Sequence, residues 1–419
     1  MTELIFFQDS LTGKKYKPNL IFDFTVAVPR CEQDEYALLI EHDGMTYDAN
    51  TKAMLRLAQE GKAPYCVSIG IKPGYLLMPD GSKRNMRMNS YDLFDKEYGD
   101  FVVYELLPYV MEKYPFHISA SPDMHIVSGG SSGGISAFCI AWFHPDHFRR
   151  VYMSSPSFLG MGRGNEIPYL IRKCETKPLR IYEEYSENEP NDYFGASYPI
   201  DVEACRALRF ANYDFACKYF AGEGHCSRYN DEKEAYVRME WLCRERVRHG
   251  NSPRVDQVIP PLSKWEPCDG MPKNEARIAV KNDACSVAVR SNDGMAAYVA
   301  DQSEDVVYMI PSGDPSSVGE RILHATLHSI PRVNPKVAID MTVDKTDRLY
   351  VLTSIGIQCV RSFGLIDVIL DLPDASTPLE IAVADALYVK TEAGVYKRPL
   401  REICTEDNDQ KRRFTSYYD

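Results

Sequence analysis

Across residues 20–248, short apolar runs alternate with amphipathic stretches. Residues 20–28 and 36–40 are rich in β-formers, and the second run ends at Glu41-His42-Asp43-Gly44. Residues 51–60 have helical spacing, 65–71 return to a strand, and 98–112 form an amphipathic helix. His125-Ile126-Val127 reads as another strand and 135–143 as a mostly apolar helix. Further strands fall at 150–153, 179–182 and 213–220, and further helices at 202–210 and 232–248. Such alternation predicts an α/β fold: a mostly parallel sheet with helices on both faces. Ligands in such sheets bind at the carboxyl ends of the strands.

Past Arg248 the pattern changes. His249-Gly250-Asn251-Ser252-Pro253, Pro260-Pro261 and Pro267 have the composition of a linker. Beyond about residue 271 short β segments recur in three groups: 286–310, 341–358 and 381–396. Leu349-Tyr350-Val351-Leu352-Thr353 followed by Gly356-Ile357, and Leu387-Tyr388-Val389-Lys390-Thr391 followed by Gly394-Val395, share the plan of a degenerate blade repeat. The predicted organisation is an α/β domain at 1–250, a linker at 251–271, a β-rich propeller-like domain at 272–405 and a polar tail at 406–419. Two domains are also what 419 residues imply.

Composition narrows the function. Apolar residues make up 44% and charged residues 26%, as in a globular protein, and the net charge of −12 argues against a nucleic-acid partner. No apolar run reaches the length of a membrane span, and the first residues lack a basic region followed by an apolar core, so no signal peptide is expected. Twelve cysteines occur without C-x-x-C pairs, several inside apolar runs (Cys66, Cys139, Cys217), which predicts reduced thiols and a cytoplasmic location. Neither H-E-x-x-H nor paired C-x-x-C is present, so neither metal nor cofactor is expected.

The chemistry centres on Val127-Ser128-Gly129-Gly130-Ser131-Ser132-Gly133-Gly134, between a strand and a helix. This is the setting of a nucleophile elbow, and it satisfies G-x-S-x-G in two registers, one on Ser131 and one on Ser132. Ser131 is favoured, since a glycine pair then follows after one residue and lets helix and strand pack closely. Ser132 would offer its N–H to an oxyanion, with a second donor from Gly44 or Met45. A flexible Gly/Ser loop without chemistry is the competing reading.

A hydroxyl needs a base. His225 follows the last strand of the domain between flexible residues, Gly222-Glu223-Gly224-His225. His42 precedes Asp43-Gly44, a better oxyanion loop, while His117, His125, His144 and His147 read as structural. The carboxylate partner is expected after strand 179–182, in a loop carrying Glu183, Glu184, Glu187, Glu189 and Asp192. Glu189, ahead of Pro190, is favoured; Glu187 and Asp192 stay open.

Residues 1–250 resemble the enterochelin esterase (Fes/IroE-like) branch of the α/β-hydrolases, related to the esterase D group. The resemblance rests on Asp43-Gly44, Tyr91-Asp92, Glu105-Leu106-Leu107-Pro108, the stretch from Gly129 to Phe138, Ala141-Trp142, Pro145-Asp146, Lys177-Pro178-Leu179-Arg180-Ile181 and Gly224-His225. It implies a serine esterase with Ser131 as nucleophile and Glu189 at the acid position, where close relatives more often carry aspartate. It also implies that Arg87 meets substrate oxygens, with Asp43 as a second substrate-binding residue; Ser90 stands where a glutamate is usual. The tail resembles a gluconolactonase (senescence-marker-type) propeller, with room for three to four blades at roughly 40 residues each. There, Ile339-Asp340-Met341 replaces the Asp-Gly-Met that carries a calcium ligand.

The expected function is hydrolysis of a small polar, phenolic or siderophore-like ester through Ser131, His225 and Glu189. The alternatives are a carbohydrate acetyl or feruloyl esterase, a scaffold with a vestigial elbow, and metal-dependent lactone chemistry in the tail. The expected partners are a small-molecule ester and a second copy of the chain, paired through the C-terminal β domain.

Overall fold

The computed structural model describes residues 3–44, 48–160, 164–279, 287–300, 304–311, 321–328 and 338–401. The chain divides into two compact units, Met1–Tyr169 with Thr176–His249, and Leu170–Glu175 with Gly250–Asp419.

The first unit is built on one sheet. Its strands are β1 (Leu4–Thr12), β2 (Ile21–Pro29), β3 (Ala37–His42), β4 (Cys66–Ile71), β5 (Tyr75–Leu77), β6 (Lys83–Asn85), β7 (His125–Gly130), β8 (Arg150–Ser154) and β9 (Arg180–Asn188). After a two-residue hairpin, β10 (Asn191–Asp192) with β11 (Gly195–Ala196), the chain returns to the sheet as β12 (Asp214–Gly224). The order is β12-β9-β8-β7-β3-β4-β2, with β1 and the β5–β6 hairpin beside β2. Pairing is parallel from β12 to β4 and antiparallel beyond.

Every residue of β3, β4 and β8 is buried, as expected of parallel strands covered on both faces. Helices Ala49–Gln59 and Glu232–Leu242 share one core with Leu39, Ile126, Tyr152 and Tyr182. Helix Ser132–Phe143 packs against β7 and β8. This is the mostly parallel sheet with flanking helices that the alternation predicted.

Three sequence expectations change. The predicted helix at 98–112 runs as Glu97–Phe101, a π turn at Val102–Leu106, and Leu107–Lys113. The π turn precedes Pro108, which has no N–H for the i→i−4 ladder. The strand predicted at 179–182 continues to Asn188, so Glu183 and Glu184 are interior sheet residues, 0% and 1% exposed, rather than members of an acidic loop. Glu184 is tolerated there because Arg238, itself 0% exposed, lies 3.1 Å away and the Tyr152 hydroxyl donates to it at 2.8 Å. The helix predicted to reach 248 stops at Leu242. The backbone beyond it turns to accept hydrogen bonds from the buried Arg150 and Arg180 at the carbonyls of Leu242 and Arg244.

The second unit begins where a linker was expected. Val255, Val258 and Ile259 are at most 1% exposed and share a core with Tyr350, Leu352, Ile357, Val368, Ile381 and Leu387. Glu266–Pro267 pairs with Val395–Arg398. The prolines of 251–271 therefore mark turns within a packed segment.

Three antiparallel sheets make up the rest of the described unit. The first runs through Arg277–Ile278, Val287–Arg290, Ala297–Ala300, Val306–Ile310 and Ile322–Thr326. The second holds Asp340–Val343, Leu349–Thr353, Gly356–Val360 and Ile366–Leu370. The third holds Pro378–Val383, Leu387–Thr391 and Val395–Arg398, closed by Glu266–Pro267. Each Leu-Tyr-Val-x-Thr segment is the second strand of its sheet. Asp340 staples the three together: it accepts from the amides of Met341 and Ile381, both at 2.9 Å, and pairs with Arg277. Asp340 is thus occupied in holding sheets together, and Ile339 beside it carries no ligand atom. Ser286, Asp301 and the tail at 406–419 lie outside the described residues. No helix among the described residues is long and apolar enough to cross a membrane.

Candidate active site

β7 delivers Gly129-Gly130-Ser131 to the start of helix Ser132–Phe143. Ser131 adopts φ 56°, ψ −126°, a conformation costly for a side chain, whereas Ser132 already belongs to the helix. The glycines are obligatory here. A Cβ on Gly129 would stand 2.3 Å from the Gly133 carbonyl, and one on Gly133 would stand 2.8 Å from the His42 Cβ. The two serines are thereby distinguished. Ser131 Oγ lies 2.9 Å from Ser157 Oγ. Ser132 is 7% exposed, with its hydroxyl beside the buried Asp92 carboxyl, whose pKa burial raises.

His225 follows β12 directly, and its Nδ1 lies 2.6 Å from Glu189 Oε2. The other oxygen of Glu189 accepts from Ser155 Oγ at 2.5 Å and from the Ser186 amide at 2.9 Å. Burial pushes this carboxyl up, but the bonds from His225, Ser155 and Ser186 outweigh it and hold the group below the usual carboxylate range. His225 is pushed the other way, to about 10, by the Cys226 side chain and then by Glu189. The remaining candidate acids are employed elsewhere: Glu187 accepts from the Gly222 amide at 2.6 Å, and Asp192 from the Phe194 amide at 2.9 Å in the β10–β11 hairpin.

Among the described residues no hydrogen bond joins Ser131 to His225, but the two loops share partners. The Ser154 carbonyl accepts from the Ser131 amide at 2.9 Å and from the Cys226 thiol at 3.4 Å. A Cβ on Gly130 would meet Cys226 Sγ at 3.1 Å. Ser155 Oγ, held at φ 45°, also accepts from the Cys226 amide at 3.0 Å. Everything converges where β7, β8, β9 and β12 end, as parallel topology requires.

The turn after β3 lies against the elbow: a Cβ on Gly133 would come within 3.2 Å of Asp43 Oδ2. Asp43 (φ 62°) forks onto Arg87, Oδ1 to Nε at 2.8 Å and Oδ2 to Nη2 at 2.9 Å. The Gly44 amide donates to the Ile71 carbonyl at 2.9 Å, continuing the β3–β4 pairing, which removes it as an oxyanion donor. Met45 lies outside the described residues. His42 is buried with Nδ1 2.7 Å from the Ser128 carbonyl, and burial lowers it to about 4, so it stays neutral. His125 is likewise tied to two carbonyls, those of His147 and Ser119.

Sequence reasoning missed Ser155 and Ser157, and it noted Asp92 in the Tyr91-Asp92 stretch without giving it a role. A signal for the two serines was available: Ser154-Ser155-Pro156-Ser157 is a cluster of small polar residues at a strand end. Among the described residues no group of His, Cys, Asp and Glu is placed to hold a metal ion.

Residues 22–185 match the Esterase family. No curated protein matches the chain. Similar solved structures include a ferulic acid esterase, 16% identical with a TM-score of 0.44 over 58% of this chain and 99% of that one. The enterobactin esterase FES from Shigella flexneri is 17% identical with a TM-score of 0.41, over 56% of this chain and 59% of that one. The siderophore hydrolase EstB from Aspergillus nidulans is 17% identical with a TM-score of 0.42, over 57% of this chain and 94% of that one.

Proposed function

We propose that this chain, an ester hydrolase by its Esterase-family segment, works as a serine esterase through Ser131, His225 and Glu189. One observation carries the assignment of roles: a carboxylate-bound imidazole at the strand ends that also hold a serine in a strained turn.

The chemistry follows. His225 takes the Ser131 proton through Nε2 as Oγ attacks the ester carbonyl, and Glu189 stabilises the resulting imidazolium. The Ser132 N–H, at the head of its helix, receives the developing oxyanion; such a donor is worth roughly 3 kcal/mol at the transition state. With the Gly44 amide committed to the sheet, Met45 is the proposed second donor. His225 then protonates the leaving alcohol, and water repeats the sequence on the acyl-enzyme. Arg87, steadied by Asp43, offers its remaining guanidinium edge to an oxygen-rich acyl group, which supports a small polar, phenolic or siderophore-like ester as substrate. The reduced thiols support a cytoplasmic place of action. Ile322 and Leu323, 51% and 59% exposed on the edge strand Ile322–Thr326, support self-association through the C-terminal unit.

A fluorophosphonate probe tests the nucleophile directly. Wild-type protein is expected to take up one label at Ser131 and to lose hydrolysis of a small aryl ester in proportion; unlabelled, inactive protein would mean a vestigial elbow. A pH profile tests the base. Because the His225 pKa is raised, to about 10, its ring stays protonated and unable to accept over more of the pH range. The acid limb of kcat/KM is therefore expected above the ordinary histidine value of about 6.5, with rates still climbing past pH 8. Cys226→Ala should move the limb down, since the Cys226 side chain is the largest contributor to the shift. A limb below 6.5 in both proteins would exclude His225 as the base.

A further inference from the structure

Away from the serine, two sulfurs face each other at the edge of the sheet. β12 is the outermost strand, and Cys217 lies across from Glu183 in the β12–β9 register. Helix Ser197–Phe210 covers that face and contributes Cys205, which is 2% exposed and lies beside Cys217. One turn later the same helix places Arg209 Nη2 2.7 Å from Cys217 Sγ, with the guanidinium also over the Phe215 ring at 5.7 Å. Cys217 itself is only partly buried.

The pair is asymmetric. One thiol is enclosed; the other is reachable and carries a cation on its sulfur, which stabilises a thiolate. Three other described thiols differ: Cys66, Cys139 and Cys359 are buried with their pKa values pushed up by desolvation.

We propose that Cys205 and Cys217 are an oxidisable dithiol, at which a hydroperoxide closes a reversible disulfide between helix Ser197–Phe210 and β12. The Cys217 thiolate attacks the peroxide O–O bond, keeps one oxygen as a sulfenic acid and releases the other as hydroxide. Cys205 attacks that sulfur, the S–S bond forms, and the sulfenic oxygen leaves as water with the Cys205 proton. The two thiols lose two electrons and two protons, and the peroxide is reduced to two waters. Dithiothreitol reverses the step by exchange.

The surroundings favour this division of labour. Cys217 is lowered to about 6 by the neighbouring Cys205 and by Arg209, against the desolvation that opposes them. Cys205 is held up, first by Cys217 and then by burial. Facing the pair, Glu183 is pushed up to about 8 and Tyr185 to about 12, both by burial, so neither adds negative charge near pH 7.

The test uses the full chain and does not depend on esterase activity. At pH 6.5, limiting iodoacetamide is expected to label Cys217 about five- to tenfold faster than Cys31 or Cys268. A larger thiolate fraction is partly offset there by the lower nucleophilicity of a low-pKa sulfur. After hydrogen peroxide, a non-reducing digest should contain a Cys205–Cys217 linked peptide that dithiothreitol dissolves. In Cys205→Ser the sulfenic acid on Cys217 should persist and be trapped by dimedone, and Arg209→Met should slow the alkylation severalfold. Labelling of wild-type Cys217 no faster than Cys31 would overturn the proposal. So would its oxidation to sulfinic acid without the linked peptide.

Discussion

Ser131→Ala is expected to lower kcat for a small aryl ester by about 10⁴- to 10⁶-fold, the range in which removing the nucleophile of a triad disables the whole unit. The expectation is sharp because a second serine stands next to it. Ser132 is the first residue of its helix and is buried, with Asp92 as a neighbour. Ser132→Ala keeps the backbone N–H proposed for the oxyanion and loses only a buried hydroxyl, so its kcat should stay within about tenfold of wild type. Steady-state kinetics on the two variants decide the register. Reversed losses would move the chemistry to Ser132, and near-normal turnover in Ser131→Ala would remove the serine mechanism altogether.

Glu189→Gln is the second large effect, about 10²- to 10⁴-fold in kcat. The carboxylate is an acceptor on both oxygens: one faces His225 Nδ1 at 2.6 Å, and the other takes bonds from Ser155 and Ser186. A glutamine is the same size but must point an NH₂ group at one of these sites. If it faces Nδ1, the imidazole carries its proton on Nε2 and has no lone pair for Ser131. If it faces Ser155 and Ser186, two donors confront a third. Either way His225 loses an anion that raises its pKa, so the acid limb of the pH profile should fall along with the rate. Glu187→Gln and Asp192→Asn are the controls, expected within about threefold of wild type because those exposed carboxylates accept from the backbone amides of Gly222 and Phe194. Unchanged melting temperatures across the set would keep lost chemistry separate from lost fold.

Much of this was legible along the chain because it depends on local constraints. The apolar runs of β3, β4 and β8 announced buried parallel strands, and the glycines around Ser131 announced a turn that tolerates no side chains. His225 was singled out because it follows a strand and sits among glycines. Where the reading failed, long-range partners had overruled local character. Glu183 and Glu184 look like the start of a surface loop until Tyr152 and Arg238 are found waiting for Glu184 inside the core. The prolines of 251–271 look like a tether until Val255, Val258 and Ile259 are seen packed against strands about a hundred residues later in the chain. The Gly44 amide looks available until β4 is placed alongside to accept it.

The order of residues therefore determined the α/β class, the strained serine and a short list of bases and acids, since periodicity and glycine placement act over a few neighbouring positions. Only the tertiary structure decided which carboxylate of the three faces the imidazole, which amide is already spent, and that Cys205 meets Cys217. Each of those outcomes is a contact between segments that the sheet order brings together, and no spacing along the chain encodes it.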